Sequence, residues 1–286
     1  MPSSRLAVLL PLILSGACGG GSGIGGVSGG GGGVAPSLRT EIGSSLAEGV
    51  SLALGLITLD QPGLPFGFNS VAGCPVPSNT DDADHDDILD DANLTFADPP
   101  CHSNVASGGS VGVTGVLGLH DGGVVTTTDY NLNFTALTWT FLDGASNMTE
   151  TAVRNGLANR SGDANSATIV FDDFTDRARP GKAVAHIHLV GTILFTPDQG
   201  NFINILGPLQ KGSLTLTGTM DWRRSTEDFE LTITTPTPLE FDPNCSSFQP
   251  ISTGQVDLQG TVANTTGIFH VVFAGCGNNP TVTFTE

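Results

Sequence analysis

Seven aspartates fall within the fifteen residues from Asn79 to Asn93, NTDDADHDDILDDAN, the densest group of chemically capable side chains in the sequence. Carboxylates so crowded repel one another unless a cation or solvent takes up their charge. Asp82, Asp84, Asp86, Ile88 and Asp90 follow the order of a calcium loop, in which alternate carboxylates and one backbone carbonyl converge on a hard cation. The segment is read as a site for a structural Ca2+, with a solvated acidic loop as the alternative. His186 and His188, in AVAHIHLVGTILF, are weaker metal candidates. Two residues apart on a strand they share a face, an arrangement that can offer two imidazoles to one metal. The other face carries Ile187, Leu189, Ile193 and Phe195 and makes the better core, so the histidines face solvent or a cavity, with His120 or His270 as a third ligand if the fold brings one near. Gly108-x-Ser110-x-Gly112 matches the pattern of a nucleophile elbow. That motif needs a strand before the serine and a helix after it, whereas here a Gly/Ser loop leads into a strand. Glu227, Asp228, Glu230 and Glu240 read as exposed strand and turn positions, and Arg223 with Arg224 as a charged strand end. No catalytic residue is assigned.

The elements that must position these groups are strands. From about residue 93 the apolar side chains recur with period two, most clearly in Leu214, Leu216, Gly218, Met220 and Trp222, with Ser213, Thr215, Thr217, Thr219 and Asp221 between them. Tyr130, Leu132 and Phe134 alternate likewise, and Leu137, Trp139 and Phe141 do so out of phase, which places a bulge or turn near Ala136. Ten to twelve such strands with no crossover helices predict an all-β fold, a large antiparallel sheet closed or half-closed as a barrel, or alternatively a β-sandwich. Ahead of it, Leu38, Ile42, Leu46, Val50, Leu54 and Ile57 carry a helical spacing over 36–57. Gly43, Gly49 and Gly55 weaken that helix by about 1 kcal/mol each relative to Ala, so it must be docked on or inside the sheet.

Arg5, the apolar run Leu6 to Leu14 and the small residues before Cys18 form an export signal over 1–18, too short to span a bilayer at roughly 20 residues. The Gly-rich stretch over 19–35 is a flexible tether to a single β-domain over 36–286. Cys74, Cys101, Cys245 and Cys276 remain, an even number suited to an oxidising compartment, and the sequence-local pairing, Cys74 with Cys101 and Cys245 with Cys276, is expected because each pair brackets a recognisable segment. A formal charge of −18 disfavours nucleic acid as a partner.

The residues ahead of and including Cys18 resemble a bacterial lipoprotein signal with its lipobox, which implies diacylation of Cys18 and a membrane partner through that lipid. With the segments CPVPSNTDDADHDDILDDANLTF, TPLEFDPNC and GCGNNPTVTFT, the chain resembles a group of Thr/Gly-rich bacterial lipoproteins over nearly its full mature length. The aspartate run is similar to the short calcium-binding repeats of thrombospondin type 3, with Asp87 and Leu89 where the group has Gly and Pro. The resemblance implies an exported, envelope-bound protein, by default at the outer membrane, and no reaction. The leading expectation is a non-enzymatic envelope lipoprotein with a structural or surface-binding role, its partner an envelope polymer or a protein. The alternatives are a carrier of a lipid or other apolar ligand in a half-barrel cavity, and a metal-dependent enzyme built on His186 and His188.

Overall fold

The computed structural model describes residues 34–35, 37–43, 45–46, 73–79, 89–99, 101–104, 109–121, 129–204, 209–245, 251–276 and 280–286. Cys18, residues 19–33 of the tether and the helical pattern beyond residue 46 lie outside them, while Val34, at the end of the tether expected over 19–35, is buried in the core. Helical residues 37–43 and 45–46 form α1. The strands are β1 Val76–Pro77, β2 Ala92–Phe96, β3 His102–Asn104, β4 Ser110–Asp121, β5 Tyr130–Leu142, β6 Met148–Gly162, β7 Ala167–Ala178, β8 Ala185–Pro197, β9 Gly212–Arg224, β10 Glu227–Phe241, β11 Ile251–Val262, β12 Thr265–Ala274 and β13 Thr281–Thr285. They make one antiparallel sheet in the order β1-β2-β4 and then consecutively to β13, with the short β3 beside β4. Consecutive order is what short turns between antiparallel strands produce. Among the described residues no pairing joins β13 back to β1, so the sheet curls without closing. The two cysteine pairs are bonded as the sequence suggests, Cys74 to Cys101 and Cys245 to Cys276.

One face of every long strand is buried. On β9 the buried set is Leu214, Leu216, Met220 and Trp222, and on β8 it is Ile187, Leu189, Ile193 and Phe195. On β5 the phase changes: Tyr130, Leu132 and Phe134 are buried, then Leu137, Trp139 and Phe141. The step falls at Ala136, whose φ of 46° and the register shift between Phe134 and Leu137 mark the bulge that the sequence pattern requires. Gly218 on β9 has φ +152°, and a Cβ there would sit 2.0 Å from the carbonyl oxygen of Val190, so only glycine lets these backbones meet. Bulges and glycine kinks of this kind bend a sheet.

A related device lies on β10, where Pro236 and Pro238 cannot donate to the ladder. The register slips between Ile233 and Leu239, and the Thr235 hydroxyl stands in for a backbone partner. It accepts from the Leu216 amide at 2.8 Å and donates to the Leu216 carbonyl at 2.7 Å. The bend is made without leaving these polar groups unpaired.

The bent sheet curls around α1. Leu38, Ile42 and Leu46, spaced four apart, are 5%, 0% and 0% exposed and join one continuous core with residues of β2 and β4 to β12. A Cβ on Gly43 would lie 2.4 Å from Val282 of β13, so this glycine allows helix and edge strand to approach closely. Arg39 lies over the Phe284 ring, also on β13, at 5.5 Å. From another side of α1, Glu41 reaches the ends of β7 to β9. Its carboxylate bonds the Arg224 guanidinium directly, with Lys182 at 3.3 Å and Arg179 at 4.0 Å. A helix about 10–12 Å across cannot touch β13 and the β7–β9 end unless the sheet wraps it. Replacing Glu41 by Gln keeps the shape and removes the counter-charge. Urea unfolding of Glu41→Gln should show a loss of about 1–2 kcal/mol, between the ranges for exposed and fully buried ion pairs, since the Glu41–Arg224 pair is partly buried. A loss below about 0.5 kcal/mol would mean the cluster acts as an ordinary surface salt bridge.

Candidate functional site

The outer face of β7, β8 and β9 carries the histidines, and the strand register explains the arrangement. Phe174 is directly opposite His188, and Asp176 directly opposite His186. Across the next ladder His188 faces Asp221, and His186 faces Arg223. Directly opposed side chains on one face lie within contact range. The Phe174 ring stacks on the His188 imidazole, centroids 3.8 Å apart and planes 8° from parallel. His188 Nε2 hydrogen-bonds Asp172 at 2.7 Å, its Nδ1 lies 3.4 Å from Asp221, and His186 Nδ1 hydrogen-bonds Asp176 at 2.7 Å. Phe174, Asp176, His186, His188, Asp221 and Arg223, with Ile187, line a surface recess of about 210 Å³. Phe174 is 48% exposed, and Leu157, Val170, Val190 and Leu194 extend the apolar surface along the same outer face of β6 to β8.

The other sequence-picked residues are dispersed. The aspartate segment spans the β1–β2 connection; Asp82, Asp84, Asp86 and Ile88 lie outside the described residues, and Asp90 sits in the turn just before β2. The ends of that connection are tied together. The Ser78 amide donates to the Asn93 carbonyl at 2.8 Å, and the Asn79 side chain donates to the Asp91 carbonyl at 3.1 Å. His120 pairs with Asp91 across β2 and β4, away from His186. His270 on β12 bonds Asp257 at 2.8 Å and Thr285 at 2.9 Å. Its order of carboxylate, imidazole and hydroxyl follows from the register, in which Asp257 and His270 are direct partners. Ser110 opens β4 and is followed by strand, not by the helix an elbow requires. Among the described residues no three His, Cys, Asp or Glu side chains converge as a metal site.

The sequence pattern missed a second polar set, on the inner face. Arg154, Arg160, Asp173 and Arg177 are buried. Arg154 pairs with Asp173 at 2.9 Å and lies over the Trp139 ring at 5.5 Å. Thr175 donates a further hydrogen bond to the Asp173 carboxylate at 3.1 Å. Arg177 and Arg179 share Glu150, at 2.9 and 2.6 Å, and Arg224 holds Glu227 at 2.9 Å. Burial pushes the Asp173 carboxyl above the usual carboxylate range despite Arg154, and does the same to Glu150 despite Arg179. Such a carboxyl adds to stability at low pH, and the contribution is lost as pH rises through the raised value. Burial, with Arg179 beside it, pushes the Arg177 guanidinium down to about 10. The available signal was phase: on β7, Asp173, Thr175 and Arg177 alternate in step with Ile169 and Phe171.

Three buried arginines in a chain with only ten basic residues leave the outer surface more acidic than composition suggests. No protein-family model, curated protein or solved structure matches the chain.

Proposed function

We propose that the protein is a non-enzymatic lipoprotein of the cell envelope, anchored through Cys18, which binds an envelope polymer or partner with the outer face of β6 to β9. The observation that carries this reading is the position of Leu157, Val170, Phe174, Val190 and Leu194. They stand exposed on one face of a rigid sheet, among carboxylates. Apolar side chains gathered on an outer face mark an interaction surface more often than scattered ones do. On the inner face, core side chains and α1 join one continuous cluster among the described residues, and an apolar cargo would have to compete with them for that room. Two disulfides fit an exported protein.

The test is sedimentation of the purified mature protein carrying Cys18→Ser, so that no lipid anchors it, with envelope fragments of the producing cell. This chain should pellet with them, and adding Val190→Asp or Leu194→Asp should weaken retention at least about tenfold, a change worth roughly 1.4 kcal/mol. A Cys18→Ser chain that stays in the supernatant would refute the outer-face reading.

The aspartate segment is part of this proposal as a structural calcium loop. Its ends are already closed by β1 and β2, so an ion held by Asp82, Asp84, Asp86, Asp90 and the Ile88 carbonyl would tie the hairpin and leave the sheet unchanged. Millimolar calcium should raise the thermal unfolding midpoint, and excess chelator should reverse the rise. Calcium at 100 times its dissociation constant stabilises by about 2.7 kcal/mol. An unchanged midpoint would make the segment a solvated acidic loop.

A further inference from the structure

We propose that the recess beside Phe174 is a subsite for one ring of a neutral glycan, an inference that rests on the outer-face reading above. The ligand class follows from what the recess offers. One face of the Phe174 ring is taken by His188, which fixes the ring and leaves its remaining surface to a ligand. An aromatic held still on a strand presents a flat apolar platform at little entropic cost. Asp176 and Asp221 line the recess beside it, and Asp172 is bonded to His188, which lines it too. Ionised carboxylates only accept hydrogen bonds, and each has about four lone-pair sites, so those bonded to His186 and His188 keep capacity for a ligand.

The ligand must therefore be apolar on one face and carry donors around its rim. A pyranose has that form, with C–H groups on a ring face and hydroxyls at the edge. Spacing separates it from a point charge: Asp172 and Asp176 are four residues apart on one strand, about 13 Å, too far to converge on a single ammonium or metal ion. A recess of about 210 Å³ is below the range of roughly 300–1,000 Å³ for drug-sized ligands and suits a single ring. Charge narrows the class further. Asp228 lies 3.4 Å from Arg223, and Glu230 is directly opposite Asp221, so carboxylates outnumber the one guanidinium and repel phosphorylated or acidic glycans.

The experiment titrates the purified protein, isotope-labelled in phenylalanine, with cellotetraose, maltotetraose and chitotetraose in turn, and follows the Phe174 ring by NMR. At least one of the three should move that resonance saturably. Isothermal titration of the responding sugar should then show Phe174→Ala weakening it at least about tenfold, Asp172→Asn weakening it severalfold, and Phe174→Trp tightening it. Phe174 and Asp172 both face outward, and unchanged unfolding midpoints would confirm that the three variants remain folded. Silence toward all three sugars, or equal affinity in Phe174→Ala, overturns the inference. So does a response to spermine with none to sugars. Retention on envelope fragments without any sugar response would sink the glycan and leave the outer-face reading standing; loss of retention would sink the reading itself.

Discussion

The contact between Glu41 and the cations at the ends of β7 to β9 is the constraint on which the rest of the molecule depends. An open sheet exposes one face unless something lies in its curl, and α1 is what lies there. Its apolar row of Leu38, Ile42 and Leu46 supplies the burial, but an apolar row could settle at more than one depth or rotation. Glu41 removes that freedom by meeting Arg224, Lys182 and Arg179 together. A partly buried ion pair of this kind adds little net stability over an apolar contact of the same shape, and its clearest use is to fix one arrangement among several. Here it fixes the helix against strands that are distant in sequence.

That arrangement depends on curvature, which the sequence produces at a few defined places. Gly218, the bulge at Ala136 and the Thr235 substitution for a ladder partner bend three different strands. Each avoids a clash or an unpaired polar group that an ordinary residue would create. The bend brings β13 to one side of α1 while the β7–β9 end reaches another. The same register that buries Phe171 and Ile187 turns Phe174 and His188 to the outer face.

Much of this was legible in the residues. Period-two alternation located the long strands, the phase change between Phe134 and Leu137 located the bulge, and the apolar partners of His186 and His188 showed which way the histidines point. The cysteine pairs followed from the segments they bracket. The inner arginines were not legible in isolation, because on β6 they alternate with the small Ala152 and Ala158, and a strand reading Ala-x-Arg gives no apolar stripe to mark its buried side. Arg223 and Arg224 looked like a charged strand end, and only the fold separates them: Arg223 faces outward with Asp228, while Arg224 meets Glu41, 183 residues away in sequence. Phe174 was hidden for the opposite reason. An aromatic residue in a strand is by default core, and its outward direction emerges only from counting phase along β7.

Native-state hydrogen exchange of the α1 amides tests most directly whether the helix permanently fills the curl of the sheet. If Glu41 and the apolar row hold it as described, those amides exchange only through the global opening that also releases β8 and β9. Exchange of α1 several orders of magnitude faster than those strands would show that the helix leaves on its own, and would contradict an account in which only the outer face is free to bind.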